Sequence, residues 1–241
     1  MGFASLLSLF FVLAGALSFR LGLLPFGVSF SAFGLGLVAC AVVSMAAAAL
    51  TFRRLARKQR LGKMSVWLLL CLLPVIVVIK QVGLAGFQAP AIHDISTDLA
   101  QPPVFVFAQA ERGSGQNTLQ HGGEALAEQQ RKAYPQLAPL HVSASKAEVW
   151  AAAKAVIAEN NIEAVATTRL MGFSDDIVIR ISTDVVSAKT VADSLGNDKL
   201  PAVENLIVDV RSVSRVGVSD LAANAARIES FLNALQSKLN N

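Results

Sequence analysis

The sequence predicts a membrane-anchored α+β protein: three transmembrane helices, then a two-layer antiparallel sheet with two helices in the order β-α-β-β-β-α. Three observations carry that prediction. The first 87 residues contain three long uncharged apolar runs, a strongly basic stretch separates the second run from the third, and the remainder of the 241 residues holds alternating strand patterns between two capped helical stripes.

The first run, Met1 to Phe19, has no charged side chain, and Phe26 to Phe52 is a second such run. Each is long enough for a hydrocarbon core that needs roughly 20 apolar residues. The third run is uncharged from Met64 to Ile79 and falls short by itself. It reaches across if Lys80 snorkels and Val82 to Phe87 continue the apolar surface. Pro74 is expected to bend this helix. Ala14-Gly15-Ala16 resembles a signal-cleavage site, but the run lacks a basic leader, which favours a retained span.

Charge sets the expected orientation. Residues 1–87 carry eight basic side chains and no acid, whereas residues 88–241 hold 13 basic against 17 acidic ones, a net of −4. The stretch RRLARKQRLGK, residues 53–63, contains six of the positive charges. Short basic loops stay in the cytoplasm, so the N-terminus is expected inside and residues 88–241 on the opposite side, in the periplasm or an equivalent lumen. The basic charge belongs to the membrane part, and the acidic balance of the rest disfavours nucleic acid as a partner.

In the second span, Ala32, Gly36, Cys40, Ser44 and Ala48 place small residues at every fourth position, an expected helix-packing face. It suits either a neighbouring helix of the same chain or a partner's helix. Both cysteines, Cys40 and Cys71, lie in apolar runs, so the remaining domain has no disulfide framework and no cysteine metal site.

Within residues 88–241, the segment 88–105 is rich in Pro, Asp, Ser and Thr and is expected to be extended or turning. A polar loop at about 106–133 follows, with a short helix at its end. Leu140 to Ser143 is a short strand candidate. Ser145 and Glu148 form a capping box, and Val149, Ala153, Val156 and Ile157 form the stripe of a helix ending near Asn160. Strands are expected at Ile162 to Arg169, at Ile177 to Ser182 and at Leu206 to Arg211, with residues 187–204 an excursion. A last helix is expected from Ser219 or Asp220, burying Leu221, Ala225, Ile228, Leu232, Leu235 and Leu239.

The pieces IHDISTD (92–98), PPVF (102–105), GFSDDIVIRI (172–181) and DVRSVSRVGVSDLAANAARI (209–228) resemble the bacterial domain-of-unknown-function family 1499. The resemblance spans roughly residues 90–240 and leaves the three spans outside it. It implies an envelope or membrane-associated setting and no established activity. Two departures stand out: a longer excursion at 187–204, and Ala222 where the family typically has Gly.

The polar constellation of interest is Arg180, Asp209, Arg211, Arg215, Asp220, Asn224 and Arg227. Its first reading is an arginine–carboxylate network, anchored by Asp209 and Asp220, that ties the last strand to the last helix. Its second is an anion site in which Arg180, Arg211, Arg215, Asn224 and Arg227 meet a carboxylate, a phosphate or a lipid-like ligand. His93, Asp94 and Asp98 are a weak metal signal, better explained by turn hydrogen bonds. Asp175 and Asp176 are adjacent, so on a strand they point to opposite faces.

No phosphate loop, nucleophile elbow or zinc-protease motif is present, and no cofactor is implied. The expected role is a non-catalytic assembly module whose partners are the lipid bilayer and membrane or periplasmic proteins, or a second copy of the chain. A binding module for a small anionic ligand is the alternative, and an enzyme is disfavoured.

Overall fold

A computed structural model of the chain describes residues 2–60, 62–106, 108–159, 175–183 and 204–240. The chain divides into two compact units at Phe87/Gln88.

The N-terminal unit contains α1 (Gly2–Arg20), α2 (Phe26–Ala56) and α3 (Lys63–Gln88). All three are long and apolar enough to cross a membrane by length and composition. Helices α1 and α2 pack closely because glycines let their backbones approach. A Cβ added at Gly36 would lie 2.6 Å from the Val12 nitrogen, and one at Gly15 would lie 2.5 Å from the Phe33 nitrogen. Ser18 and Ser29 share a hydroxyl–hydroxyl hydrogen bond of 3.0 Å across the same seam.

In α3, Pro74 lies inside the helix, and the backbone leaves helical geometry further on, at Gly83 (φ 66, ψ 168). A φ near +66° with an extended ψ is a conformation essentially open to glycine alone. The continuous helix from Lys63 to Val82 therefore spans roughly 30 Å at 1.5 Å per residue, enough for a bilayer core.

The C-terminal unit contains β1 (Asp94–Ser96), α4 (Ala108–Glu111), α5 (Gly123–Ala133), β2 (Leu140–Ala144), α6 (Lys146–Glu159), β3 (Asp175–Thr183), β4 (Glu204–Ser214) and α7 (Ala223–Leu239). The described strands form an antiparallel sheet with β4 at its centre. Strand β3 pairs along one edge of β4 from Asp175↔Ser214 to Thr183↔Leu206. The other edge is shared end to end by β2, opposite 204–208, and β1, opposite 211–213. Thr97 fills the gap between them: its N–H donates to the Val210 carbonyl, and its hydroxyl accepts from the Val210 N–H, both at 2.9 Å.

Helices α6 and α7 cover one face of the sheet. Leu206, Val208, Val210 and Ile95 from the strands are buried with Val149, Ala153 and Val156 of α6 and with Ile228, Phe231 and Leu235 of α7. The capping box at the start of α6 forms as expected, with Ser145 N–H donating to Glu148 and Glu148 N–H to the Ser145 hydroxyl.

Residues 88–105, expected to be extended or turning, include β1, which its pairing with β4 defines. Two expectations change. Strand β4 continues beyond Arg211 to Ser214. The last helix begins at Ala223, not at Ser219 or Asp220, because Leu221 (φ 53) and Ala222 (φ 67) are left-handed and stop the helix from starting sooner. The expected strand at Ile162 to Arg169 and nearly all of the excursion at 187–204 lie outside the described residues.

Candidate functional site

The two-residue period of β4 divides the polar residues between two faces. Leu206, Val208 and Val210 enter the core beneath the helices, and Ser212 and Ser214 continue that row toward α7. Asp209 and Arg211 point the opposite way, onto a face covered by residues 97–121.

On that far face Arg211 meets Asp94 in a forked pair, and its remaining bonds run to the carbonyls of Pro103 (3.0 Å) and Leu119 (2.8 Å). The Phe105 ring lies 5.2 Å from its guanidinium carbon. Arg180 donates to Asp209 and Asp98, each at 2.7 Å, and to the Gln101 carbonyl at 2.8 Å. Burial would raise the Asp98 pKa, but the Gln101 N–H, Arg180 and the Ala100 N–H together bring it below the ordinary carboxylate range. A third group joins two arginines to one acid: Asp176 accepts from Arg112 at 2.8 Å and from Arg215 at 2.8 Å. Arg112 also donates to the Asn117 carbonyl and, at 3.1 Å, to the Val213 carbonyl, so the 97–121 segment is stitched to the sheet.

On the helix face, Arg227 donates to Asp175, to Ser212 (2.9 Å) and to Asn224 (2.6 Å). The Asn224 amide reaches the His93 carbonyl at 2.8 Å and the Ser214 hydroxyl at 3.0 Å. Asp220 stands just before α7 and holds its entry: one oxygen accepts from Ala222 N–H at 3.0 Å, the other from Asn224 N–H at 2.8 Å. Burial pushes the Asp220 carboxyl up to about 6, with the Asp175 charge adding to it, against the two N–H groups and Arg227.

The seven residues singled out by sequence therefore do not make one cluster. Arg180, Asp209, Arg211 and Arg215 serve the far face, whereas Asp220, Asn224 and Arg227 serve the helix face. Asp94 and Asp98, weighed for metal, have their oxygens engaged by Arg211 and Arg180, and the His93 ring lies 3.3 Å from the Val218 carbonyl. Asp175 and Asp176 do point to opposite faces, Asp175 to Arg227 and Asp176 to Arg112 and Arg215. A groove of about 260 Å³, lined by Pro139, Leu140, Glu229, Leu232 and Gln236 among others, contains none of these arginines.

Along α2, Gly36, Cys40 and Ser44 are buried, but Ala32 is half-buried and Ala48 is not covered by protein. A strict four-residue spacing drifts about 40° per step on a helix of 3.6 residues per turn, so Ala32 and Ala48 leave the face the middle three share. The buried row is Ser29, Phe33, Gly36, Cys40, Ser44 and Ala47.

Sequence reasoning missed Arg112, Ser212, Ser214, Thr97 and Gln130. The serines were legible by extending the alternation of β4 two steps further. Gln130 had no such signal: its side-chain amide exchanges two hydrogen bonds with the Ser96 backbone, at 3.0 and 2.6 Å, and so occupies the open edge of β1.

These features define a class: a protein with three membrane-span helices followed by an α+β unit whose sheet is clamped on both faces by arginine–carboxylate pairs. Comparison with family models identifies the family. The chain belongs to the one described as Protein of unknown function (DUF1499), whose model matches residues 94–235. No curated protein and no solved structure matches it.

Proposed function

We propose that the chain is a bacterial inner-membrane protein whose three spans hold residues 88–241 in the periplasm as a non-catalytic assembly module, joined to other envelope proteins or to a second copy. The observation that carries the non-catalytic part is where the charged groups go. Asp94, Asp98, Asp175, Asp176 and Asp209 all accept from arginines of the same unit, which suits a rigid scaffold better than groups held ready for proton transfer. Orientation rests on the six basic residues of 53–63, which would have to cross the bilayer in the inverted topology.

Reporter fusions test the orientation. Alkaline phosphatase fused after Asn241 is expected to be active, and a fluorescent protein that needs the cytoplasm is expected to glow when inserted near Gln59. The reverse pattern overturns the compartment. Crosslinking after mild-detergent purification tests assembly, and a monomer with nothing attached counts against it.

The alternative is a small anionic or lipid-like ligand held by the arginines and Asn224. Arg180 and Arg215 favour it, because their side chains remain 35% and 23% exposed while already gathered near acids. Native mass spectrometry of the purified chain beside Arg180→Ala/Arg215→Ala decides this: a bound mass lost in the double variant supports the ligand, and no bound mass in either leaves the scaffold.

A further inference from the structure

The turn that leads into α5 is closed by a histidine ring. His121 Nδ1 accepts a hydrogen bond of 3.1 Å from the N–H of Gly123, the first residue of α5. Accepting that bond leaves Nδ1 bare, so the neutral ring carries its proton on Nε2. Nε2 is shut away from solvent and meets no partner among the described residues. We propose that His121 is a pH-sensitive latch, closed while the ring is neutral and opened when Nδ1 takes up a proton.

Stereochemistry gives the reason. A proton added to the neutral ring must go to Nδ1, where it would point at the Gly123 N–H. Two donors cannot share a hydrogen bond, so the charged ring has to leave the turn. Its other donor, Nε2–H, has no acceptor where it lies among the described residues. Neighbouring charges do not hold the cation in place. Asp94 of β1 and Arg211 of β4 act on the ring with opposite signs and are already paired with each other. Glu124, the first acid of α5, is bonded to Arg131. Burial lowers the His121 pKa, Asp94 raises it and Arg211 lowers it again, leaving it below the ordinary histidine value. With the folded pKa depressed, the closed latch is fully present above the ordinary value and is lost as pH falls through the folded one.

The latch lies between two anchors of the segment that covers the sheet. On one side, the Leu119 carbonyl accepts from Arg211 at 2.8 Å. On the other, Gln130 of α5 exchanges its two hydrogen bonds with Ser96 of β1. Opening the turn therefore loosens the start of α5 and, with it, the cover over the Arg211–Asp94 pair. The inference concerns residues 88–241 alone and is independent of which side of a membrane they face.

The test uses the full chain in detergent micelles, with the native protein beside His121→Asn and His121→Ala. Asparagine places Oδ1 where Nδ1 lies and keeps the bond from Gly123, but it does not titrate. Amide hydrogen exchange is read by mass spectrometry at about pH 7.5 and about pH 4.5, corrected for the intrinsic dependence of exchange on pH. On acidification the start of α5 in the native chain is expected to lose protection roughly fivefold, as for one hydrogen bond. His121→Asn should stay protected at both pH values, and His121→Ala should be poorly protected at both. Nitrogen NMR shifts of the His121 ring should show Nδ1 unprotonated at the higher pH. Equal protection of the native chain at both pH values, the same loss in His121→Asn, full protection in His121→Ala, or an Nδ1–H ring at the higher pH would each overturn the latch.

Discussion

Arg211 and Asp94 form a two-pronged ion pair, Nε to Oδ1 at 2.9 Å and Nη2 to Oδ2 at 2.8 Å, with side chains only 3% and 5% exposed. The pair joins the central strand to the first strand and, through the Pro103 and Leu119 carbonyls, to the segment covering the sheet. A buried pair of this kind adds little over apolar residues of the same shape, yet removing one partner leaves an uncompensated charge.

Arg211→Ala is accordingly expected to destabilise the C-terminal unit by about 3–5 kcal/mol. Arg180→Ala should cost less, about 2 kcal/mol, because its side chain is 35% exposed and water replaces part of its bonding, although its partner Asp209 is only 3% exposed. Arg211→Met combined with Asp94→Leu should recover most of the loss. Urea unfolding of the purified chain measures all four proteins. An Arg211→Ala variant as stable as Arg180→Ala would remove the clamp from the account.

The approach of α1 to α2 gives a second expectation. At Gly36 a Cβ would lie 2.6 Å from the Val12 backbone nitrogen, and backbone cannot yield as a side-chain tip can. Gly36→Leu should separate the two helices, whereas Gly34→Leu, where a Cβ meets nothing within 4 Å, should not. Crosslinking between cysteines introduced at Leu9 and Leu37, in a background with Cys40 and Cys71 changed to serine, reports the separation. Equal crosslinking in both glycine variants would show that the close approach is not needed.

Ala222 holds φ at +67°, where a side chain costs about 1–2 kcal/mol and glycine costs little. Ala222→Gly should therefore raise stability by about 1 kcal/mol, the gain being trimmed by the freer unfolded chain. A higher urea midpoint with unchanged slope is the expected readout, and a lower midpoint would mean that the left-handed turn is not strained.

Asp220 makes stability depend on pH in an unusual direction for a carboxyl. Its folded pKa is about 6, above the value of about 3.9 in an unfolded chain, so the native state holds the proton more tightly. Its contribution is present below the unfolded value and is lost as pH rises through about 6. Integrated over that shift it amounts to roughly 3 kcal/mol at most. Stability of the native chain minus that of Asp220→Asn should fall between pH 4 and pH 7 in urea titrations at several pH values. A difference that stays flat or rises would place the Asp220 pKa at or below its ordinary value.

Part of this protein was decided along the chain. Three uncharged runs are long enough to span a bilayer whatever surrounds them, because transfer to lipid depends on the summed apolarity of about 20 neighbouring residues. The capping box of Ser145 and Glu148 and the alternation of Ile177, Ile179 and Ile181 are likewise local, and both appear where expected. The pairing of arginines with acids was not local. Asp94 and Arg211, or Asp176 and Arg215, lie far apart in sequence and meet because β4 pairs with strands on both of its edges. The alternation of β4 announced two faces, but which acid each arginine takes depends on strand register, which is set by long-range pairing. The start of α7 was lost for the same reason. Asp220 is a good cap by composition, but the left-handed pair Leu221 and Ala222 delays the helix so that Asn224 and Arg227 reach Ser212.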